Sequence, residues 1–426
     1  MKRLWLIIVL IVAVIGASQA QEGIPVLPGK IAYTGTDHNV YVISNENGSR
    51  ETRGLTADAS SMRRYQWPTW STDGRLAYFC CDVRYMRGQM LLETYISREA
   101  SAEGKLIYAQ DNEALTYAYW SPADCSDGNG CRDLAVLVSR PSRPFKVEVI
   151  RDDARLPSSR SIGSGVPFYF SWSPDGTRLA GQINNEQFRV YDIGDSGDSR
   201  ALIGAPGRMQ APQWSPLDNR VLVAALNDDN LTSDIEVLDG DSINVLQDAV
   251  EGIIALSWSP DGRYIAYSVL SRERGSVLVV IDAQTGDLMS VARAGLIVGF
   301  FWSPDSHRIA YVTPSFSEGV KAATVSTAAQ QGTIVLQWHV LTVATEAVES
   351  LAAFVPTSDM VYLLTYFDQF AQSHRLWSPD SRYLVYAEQA ADGNGQITVL
   401  DTVAEGTVTY ATYAIAQGNI GVWSYD

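Results

Sequence analysis

The sequence FWSPDSHRIAY, residues 301–311, carries the pattern that decides the fold: an apolar run, a Trp-Ser pair, a short polar turn and a second apolar run. Pro at the second turn position fixes φ near the value of a type I turn. The Asp-Gly, Asp-Ser or Asp-Asn pair that follows in the copies supplies local hydrogen bonds and tolerates positive φ. The run after the turn is rich in β-branched and aromatic residues, as strands are. The stretch is therefore predicted to form a β-hairpin.

The same pattern recurs along the whole chain. Close copies begin at Trp172, Trp258, Trp302 and Trp377, looser copies at Trp70, Trp120 and Trp214, and an eighth Trp-Ser pair lies at Trp423. Neighbouring copies are separated by 42 to 52 residues, with the exception of one interval of 75 residues. A four-stranded propeller blade spans about 40 to 50 residues. The large Trp before each turn suits an aromatic wedge between neighbouring sheets.

The two ends of the repeat array complement each other. Ile31 lies in a strand of the kind that follows each turn, but no Trp-Ser pair precedes it, whereas Trp423 has no strand after it. We expect the two halves to share one sheet, which closes a ring and removes exposed sheet edges. The predicted fold is all-β: a single β-propeller of eight four-stranded blades, with seven blades as the alternative.

The N-terminal segment differs from the rest. Lys2 and Arg3 precede an apolar core over residues 4–15, and small residues follow up to Ala20. This is typical of a secretory signal peptide, an uncleaved anchor being the alternative. The predicted organisation is a signal peptide (1–20), a short linker (21–28) and a propeller (29–426). It indicates a periplasmic, extracellular or cell-surface protein without stable membrane insertion after cleavage.

Charge and cysteine content restrict the partners and the compartment. The formal net charge of −16 makes nucleic acid an unfavourable partner and is explained most simply by solubility outside the cytoplasm. Cys125 and Cys131 flank a short loop and are predicted to form a disulfide, which an exported chain permits. The adjacent Cys80 and Cys81 are expected to form either a vicinal disulfide or two reduced thiols.

The repeats resemble a known class of propellers. The stretch DHNVYVISNENGSRETRGLT (37–56), followed by WSTDGRLAY (70–78) and then by repeated WSPDG motifs, is similar to the repeats of the TolB-like, WD-repeat-like family of exported β-propellers. The resemblance covers essentially all of residues 29–426. It implies that the Trp strand is innermost in each blade. The chain is not expected to be TolB itself, because its repeats begin almost directly after the N-terminal segment, without a separate α/β domain.

The longest interval between repeats contains the candidate site. Residues 353–374 form an insertion in which aromatic and polar side chains lie together. A partner-binding or ligand-binding patch has this composition, so we predict that binding involves the cluster Tyr366, Phe367, Asp368, Gln369, Phe370 and His374. The alternative is a hydrophobic lid packed over one end of the propeller.

Motifs for catalysis are missing from the sequence. It contains no G-x-S-x-G elbow, no H-E-x-x-H zinc pair and no phosphate-binding glycine loop. The aspartates Asp73, Asp175, Asp261, Asp305 and Asp380 repeat at equivalent turn positions, which favours local hydrogen bonding over catalysis. We therefore predict no catalytic residues, no metal site and no cofactor.

Calcium is the cofactor left open. The oxygen-rich loops at Asp228, Asp229 and Asn230 and at 392–394 could hold the ion, although neither has the full ligand spacing of a known calcium loop.

Three classes of function fit these observations. The leading hypothesis is an exported, non-enzymatic binding or scaffold protein that engages a protein or other extracellular ligand through its loop face. The alternative is a propeller lyase or hydrolase that acts on saccharides in the central funnel. A module that only stabilises or forms oligomers is the third.

Overall fold

A computed structural model of the protein describes residues 24–46, 49–84, 89–100, 102–125, 130–153, 157–194, 198–202, 204–207, 211–271, 275–315, 334–403 and 410–426. The predicted signal peptide lies outside the described residues.

Antiparallel strands form nearly all of the regular structure. In chain order they are β1 (Ile31–Gly35), β2 (Val40–Glu46), β3 (Ser49–Gly54), β4 (Arg63–Trp70), β5 (Leu76–Arg84), β6 (Gln89–Ser97), β7 (Lys105–Asp111), β8 (Ala114–Trp120), β9 (Arg132–Arg140), β10 (Arg143–Asp152), β11 (Ser158–Gly165), β12 (Phe168–Trp172), β13 (Arg178–Ile183), β14 (Gln187–Asp192) and β15 (Ser199–Ala201). They continue with β16 (Gln213–Trp214), β17 (Val221–Leu226), β18 (Thr232–Asp239), β19 (Ser242–Glu251), β20 (Ile253–Trp258), β21 (Tyr264–Ser271), β22 (Gly275–Asp282), β23 (Leu288–Ala294), β24 (Gly299–Trp302), β25 (Arg308–Pro314), β26 (Leu336–Thr342), β27 (Ala347–Phe354), β28 (Tyr383–Gln389), β29 (Gly395–Asp401) and β30 (Ala411–Trp423).

The two helices in the described part of the chain are short and lie between β27 and β28. They are α1 (Ser358–Thr365) and α2 (Phe367–Phe370). No helix in the described ranges is long and apolar enough to cross a membrane.

Each Trp-Ser-Pro-Asp turn is held by its own serine and aspartate. Ser173 Oγ donates a hydrogen bond to Asp175 Oδ1 at 2.6 Å and accepts one from the backbone N–H of Arg178 at 2.9 Å. Asp175 Oδ1 also accepts the backbone N–H of Thr177 at 3.0 Å. The turns that begin at Ser259, Ser303 and Ser378 repeat this arrangement. The repeated aspartates therefore hold their turns through backbone hydrogen bonds, as predicted.

The tryptophans join neighbouring sheets into a ring. The indole N–H of Trp120 donates to the backbone carbonyl of Thr69, which precedes Trp70, at 2.9 Å. The same bond joins Trp172 to the carbonyl before Trp120 at 2.9 Å. Trp258 and Trp377 form equivalent bonds to the inner strands before them, at 3.2 and 3.0 Å. The predicted wedge is therefore observed, with a directional hydrogen bond added to the packing.

The ends of the propeller meet as predicted. β1 pairs antiparallel with β30 from Ile31 opposite Trp423 to Thr34 opposite Ile420. The indole N–H of Trp70 then donates to the carbonyl of Val422 at 3.3 Å, which connects this sheet to the next one. The first and last strands therefore close the ring.

The predicted number of blades is wrong. The described strands form seven sheets, of which six have four strands each and one has six, in the order β28, β29, β30, β1, β2, β3. The reason is the length of β30: its first part pairs with β29 and its second part with β1. One continuous strand thus serves two Trp-Ser repeats, so eight repeats give seven sheets, the number held as the alternative.

The disulfide between Cys125 and Cys131 is present, with Cα atoms 5.5 Å apart. Cys80 and Cys81 are both free thiols, which decides between the two expectations for this pair. Burial raises the pKa of Cys80 to about 12 and also raises that of Cys81. These thiols are therefore poor nucleophiles at neutral pH.

Candidate functional site: a central funnel closed by a plug

The inner strands surround a cavity of about 350 Å³ at the end of the channel where their Trp-Ser-Pro turns lie. Its wall contains indole rings and prolines from successive repeats. They are Trp70, Trp120, Trp172, Trp214, Trp258, Trp302 and Trp377, with Pro122, Pro174, Pro216, Pro260 and Pro304. Residues that follow α2, together with Tyr425, contribute the remaining side: Ala371, Gln372, His374 and Arg375. We call this cavity the funnel.

Residues 357–374 fill the channel below the funnel, and the last residues of this segment form the bottom of the funnel. We call this segment the plug. It begins at Thr357, whose side-chain oxygen caps α1 by accepting the backbone N–H of Met360 at 3.2 Å. The apolar side chains Met360, Leu363 and Leu364 of α1 are buried. Burial of this apolar face, rather than intrinsic helix propensity, stabilises so short a helix.

The second helix packs directly against the inner strands. Phe367 approaches β24 so closely that a Cβ built on Gly299 would lie 3.2 Å from the Cβ of Phe367. A glycine at this position therefore leaves room for the plug. On the opposite side of the channel, Phe370 packs against Trp67 and Tyr117, with ring centroids 4.9 and 5.1 Å away.

Polar groups of α2 bind the backbone of several blades. The Gln369 side chain accepts the N–H of Phe170 at 2.9 Å and donates to its carbonyl at 2.6 Å, as a neighbouring strand would. Tyr117 donates its hydroxyl to the Gln369 carbonyl at 2.8 Å. Asp368 Oδ2 accepts the N–H of Ala211 at 3.1 Å. These bonds attach the plug to three inner regions of the ring and fix its position.

His374 ends the plug beneath the funnel. Its Nδ1 lies 2.7 Å from Ser373 Oγ, and its Nε2 lies 3.3 Å from Thr69 Oγ1. Its ring packs against Trp67 and Phe370 at centroid distances of 5.8 and 4.9 Å. Burial lowers the pKa of His374 from 6.5 to about 3, so the imidazole is neutral at physiological pH.

Asp368 shows the opposite shift for the same physical reason. Burial raises its pKa from 3.8 to about 6, against the lowering effect of the backbone N–H groups that it accepts. Desolvation disfavours the charged form of each group. The plug therefore contains two buried titratable side chains whose charged states are both costly.

The predicted site residues do lie together, but not on an exposed face. Five of the six are buried, with 1 to 9% of their surface exposed, and Tyr366 is half-buried. The insertion is packed against the propeller, as in the alternative hypothesis of a hydrophobic lid. It lies inside the channel because its apolar and aromatic side chains pack against the inner strands. As ligand-binding residues these six stay a prediction.

The funnel wall was not predicted from the sequence. The tryptophans were assigned to packing between sheets, which is correct for their buried rings, but the Ser-Pro pairs that follow them also meet at the channel mouth. The recurrence of Ser-Pro at the ends of inner strands was the available signal. Arg375, which follows His374 and lines the cavity, was also not predicted.

In the two candidate calcium loops, aspartate carboxylates accept hydrogen bonds from residues of the same loop. Asp229 accepts the backbone N–H groups of Leu231 and Thr232 at 2.8 and 2.9 Å. Asp392 accepts both the backbone and the side-chain N–H of Asn394, at 3.0 and 2.8 Å. No group of three or more His, Cys, Asp or Glu side chains placed to hold a metal occurs in the described ranges.

The geometry defines a closed β-propeller with a plugged central channel and one open funnel. No protein-family model matches the sequence, and no curated protein matches it. Among solved structures, an oligogalacturonate lyase in complex with manganese aligns over 89% of this chain and 99% of its own, with 15% identity and a TM-score of 0.51. Dihydro-heme d1 dehydrogenase NirN in complex with DHE aligns over 95% of this chain and 76% of its own, with 14% identity and a TM-score of 0.52.

TolB from Acinetobacter baumannii aligns over 85% of this chain and 81% of its own, with 13% identity and a TM-score of 0.38. That TM-score is too low to support a conclusion. At such identities the likenesses concern the fold alone. The propeller expected from the repeats is confirmed by the closed ring, whereas membership of the TolB family is not shown.

Proposed function

We propose that the protein is an exported, non-enzymatic binding protein that takes a small molecule or an extended segment of a protein into the funnel. The observation that carries this proposal is the shape of the channel: a cavity of about 350 Å³ open between the Trp-Ser-Pro turns and closed below by the plug. Ligand pockets typically measure about 300 to 1,000 Å³ and combine apolar walls with a few polar groups.

Binding rather than catalysis is favoured by how the titratable groups near the funnel are used. Asp368 and His374 already have hydrogen-bond partners within the fold. Burial keeps His374 neutral at physiological pH and disfavours the ionised form of Asp368. The turn aspartates accept the backbone N–H groups of their own turns. A general acid or base needs a free position beside the substrate.

Export is part of the proposal. It is supported by the signal-like segment at residues 1–20 and by the disulfide between Cys125 and Cys131, a bond that persists in oxidising compartments. The acidic chain makes a protein or a soluble compound a more suitable partner than nucleic acid.

The test uses a panel of neutral sugars, amino acids, organic acids and short peptides, screened by thermal unfolding and by tryptophan fluorescence. A ligand that binds only the folded protein raises its unfolding temperature. The variant Ser257→Phe places a ring in the funnel wall, where Ser257 is half-buried. Ser242→Phe makes the same change on an exposed position of β19 and serves as the control.

We expect at least one class of compound to stabilise the wild type and Ser242→Phe, but not Ser257→Phe. A response that persists in Ser257→Phe would move the site away from the funnel. If chromatography of the incubated panel reveals a product, the protein is an enzyme, and the saccharide lyase or hydrolase becomes the better hypothesis.

A further inference from the structure

The charge of the funnel is opposite to that of the protein. The chain contains 48 Asp and Glu against 32 Lys and Arg. Among the described residues that line the funnel there is no carboxylate, and Arg375 is the only side chain charged at neutral pH, because the neighbouring His374 is neutral. A field of this sign, inside walls of low polarity, favours an anion.

Arg375 is held in place by the strand that closes the ring. Its carbonyl accepts the backbone N–H of Trp423 at 2.9 Å. Its guanidinium carbon lies 3.9 Å from the centroid of the Tyr425 ring, the shortest cation–ring distance found in the described residues. Tyr425 is itself anchored by its hydroxyl, which donates to the carbonyl of Gln372 at 3.3 Å. The side chain is therefore oriented before any ligand arrives.

Two other shielded arginines in the described part of the chain are neutralised by carboxylates. Arg132 pairs with Asp124 at 2.6 Å, and Arg382 pairs with Asp401 at 2.7 Å. Arg375 forms no ion pair with any residue that the structure describes. A half-buried guanidinium that stacks on an aromatic ring presents a planar set of donors, which matches a carboxylate with two parallel hydrogen bonds.

We infer that the funnel binds organic acids, with Arg375 holding the ligand's carboxylate and the indole and proline wall receiving its apolar body. The ligand is a free small acid or the C-terminal carboxylate of a peptide. This inference rests on the proposed function and adds the chemical class of the ligand. Charge-assisted hydrogen bonds in a site of low polarity contribute enough to dominate the selectivity between an acid and its amide.

The experiment compares pairs of probes that differ only in charge: benzoate with benzamide, and a phenylalanine-containing dipeptide with a free C terminus and with an amidated one. Binding is measured by isothermal titration calorimetry on the full chain. We expect each acid that binds to do so at least about 10-fold more tightly than its amide. Arg375→Gln should weaken acid binding about 10- to 100-fold. Arg375→Lys, which keeps the charge but loses the fork, should show a smaller loss.

The matched control is Arg263→Gln. Arg263 also stacks on a tyrosine, Tyr264, at 5.2 Å, but it is exposed and outside the funnel. Arg263→Gln removes the same charge from the protein but not from the funnel, so it should leave acid binding unchanged. If only benzoate or only the dipeptide with a free C terminus binds, the inference is supported. The acid that binds then shows whether the natural ligand is a free small acid or a peptide C terminus.

Two results would overturn the inference. One is equal affinity for an acid and its amide, and the other is unchanged acid binding in Arg375→Gln that still unfolds like the wild type. If neutral compounds bind and Ser257→Phe prevents it, the funnel remains a binding site and only the acid selectivity fails. If no compound of either panel binds, the proposed function fails as well.

Discussion

Replacing Asp368 by Asn should change how stability depends on pH. The folded state raises the pKa of Asp368 from 3.8 to about 6 through burial. An acid with a raised pKa holds its proton more tightly in the folded than in the unfolded chain, so the free energy of unfolding falls as pH rises from about 4 to about 6. At 1.36 kcal/mol per pH unit, this loss amounts to about 3 kcal/mol and is constant above that window.

His374 has the opposite effect. Its pKa falls from 6.5 to about 3 in the folded state, so the unfolded chain binds the proton more readily. Stability due to this group is complete above about pH 6.5 and is lost as pH falls towards 3. Between about pH 4 and 6 the two contributions have equal and opposite slopes. In the wild type they therefore offset each other, and single substitutions reveal them.

The assay is urea unfolding, followed by tryptophan fluorescence at several pH values between about 4 and 7. Relative to the wild type, Asp368→Asn should gain about 1.4 kcal/mol per pH unit from about pH 4 to 6. His374→Asn should lose stability relative to the wild type over the same range, at a similar rate. Lost hydrogen bonds and packing add an offset that does not depend on pH, so the slope is the diagnostic quantity.

Asp241→Asn is the control, because Asp241 is exposed in the turn between β18 and β19. The difference between this variant and the wild type should not vary over the same window. The reasoning is refuted if the difference between Asp368→Asn and the wild type is also independent of pH, or if it falls as pH rises.

Three further predictions concern the ring and its cysteines. Trp120→Phe should cost about 1 kcal/mol more than Trp214→Phe in urea unfolding, because the indole N–H of Trp120 donates to a backbone carbonyl whereas that of Trp214 has no acceptor among the described residues; equal losses would contradict this. Cys125→Ser combined with Cys131→Ser should lower the free energy of unfolding by about 2 kcal/mol, the loop-closure entropy of so short a ring, whereas an unchanged urea midpoint would show that the bond does not constrain the unfolded chain. Cys80, fully buried and with a raised pKa, should resist alkylation by iodoacetamide at about pH 8 until urea is added, as followed by mass spectrometry; rapid labelling of the folded protein would be the contrary result.

Much of the architecture was predictable because it depends on local sequence patterns. A Trp-Ser-Pro-Asp turn needs only its own serine and aspartate to form, so each hairpin could be located from a few consecutive residues. The pairing of Ile31 with Trp423 followed from the unmatched repeat halves at the two ends. Cys125 and Cys131 are close enough in sequence for their pairing to be inferred as well.

The candidate site was less predictable. The sequence identified 353–374 as an unusual insertion with aromatic and polar residues, but composition does not distinguish an exposed binding patch from a plug. Packing distinguishes them: Gln369 and Asp368 reach backbone groups of Phe170 and Ala211, which are far away in sequence. Such contacts depend on the curvature of the ring, which no local pattern encodes.

The sequence by itself determined the strands, their turns, the closed ring and the disulfide, since each depends on short-range geometry or on a repeat that can be counted. Only the tertiary structure decided that β30 serves two repeats and that the insertion fills the channel. It also decided that Arg375 stands without a carboxylate in the funnel. These features arise where segments distant in sequence meet, and their energies depend on burial and on neighbours that only the folded ring brings together.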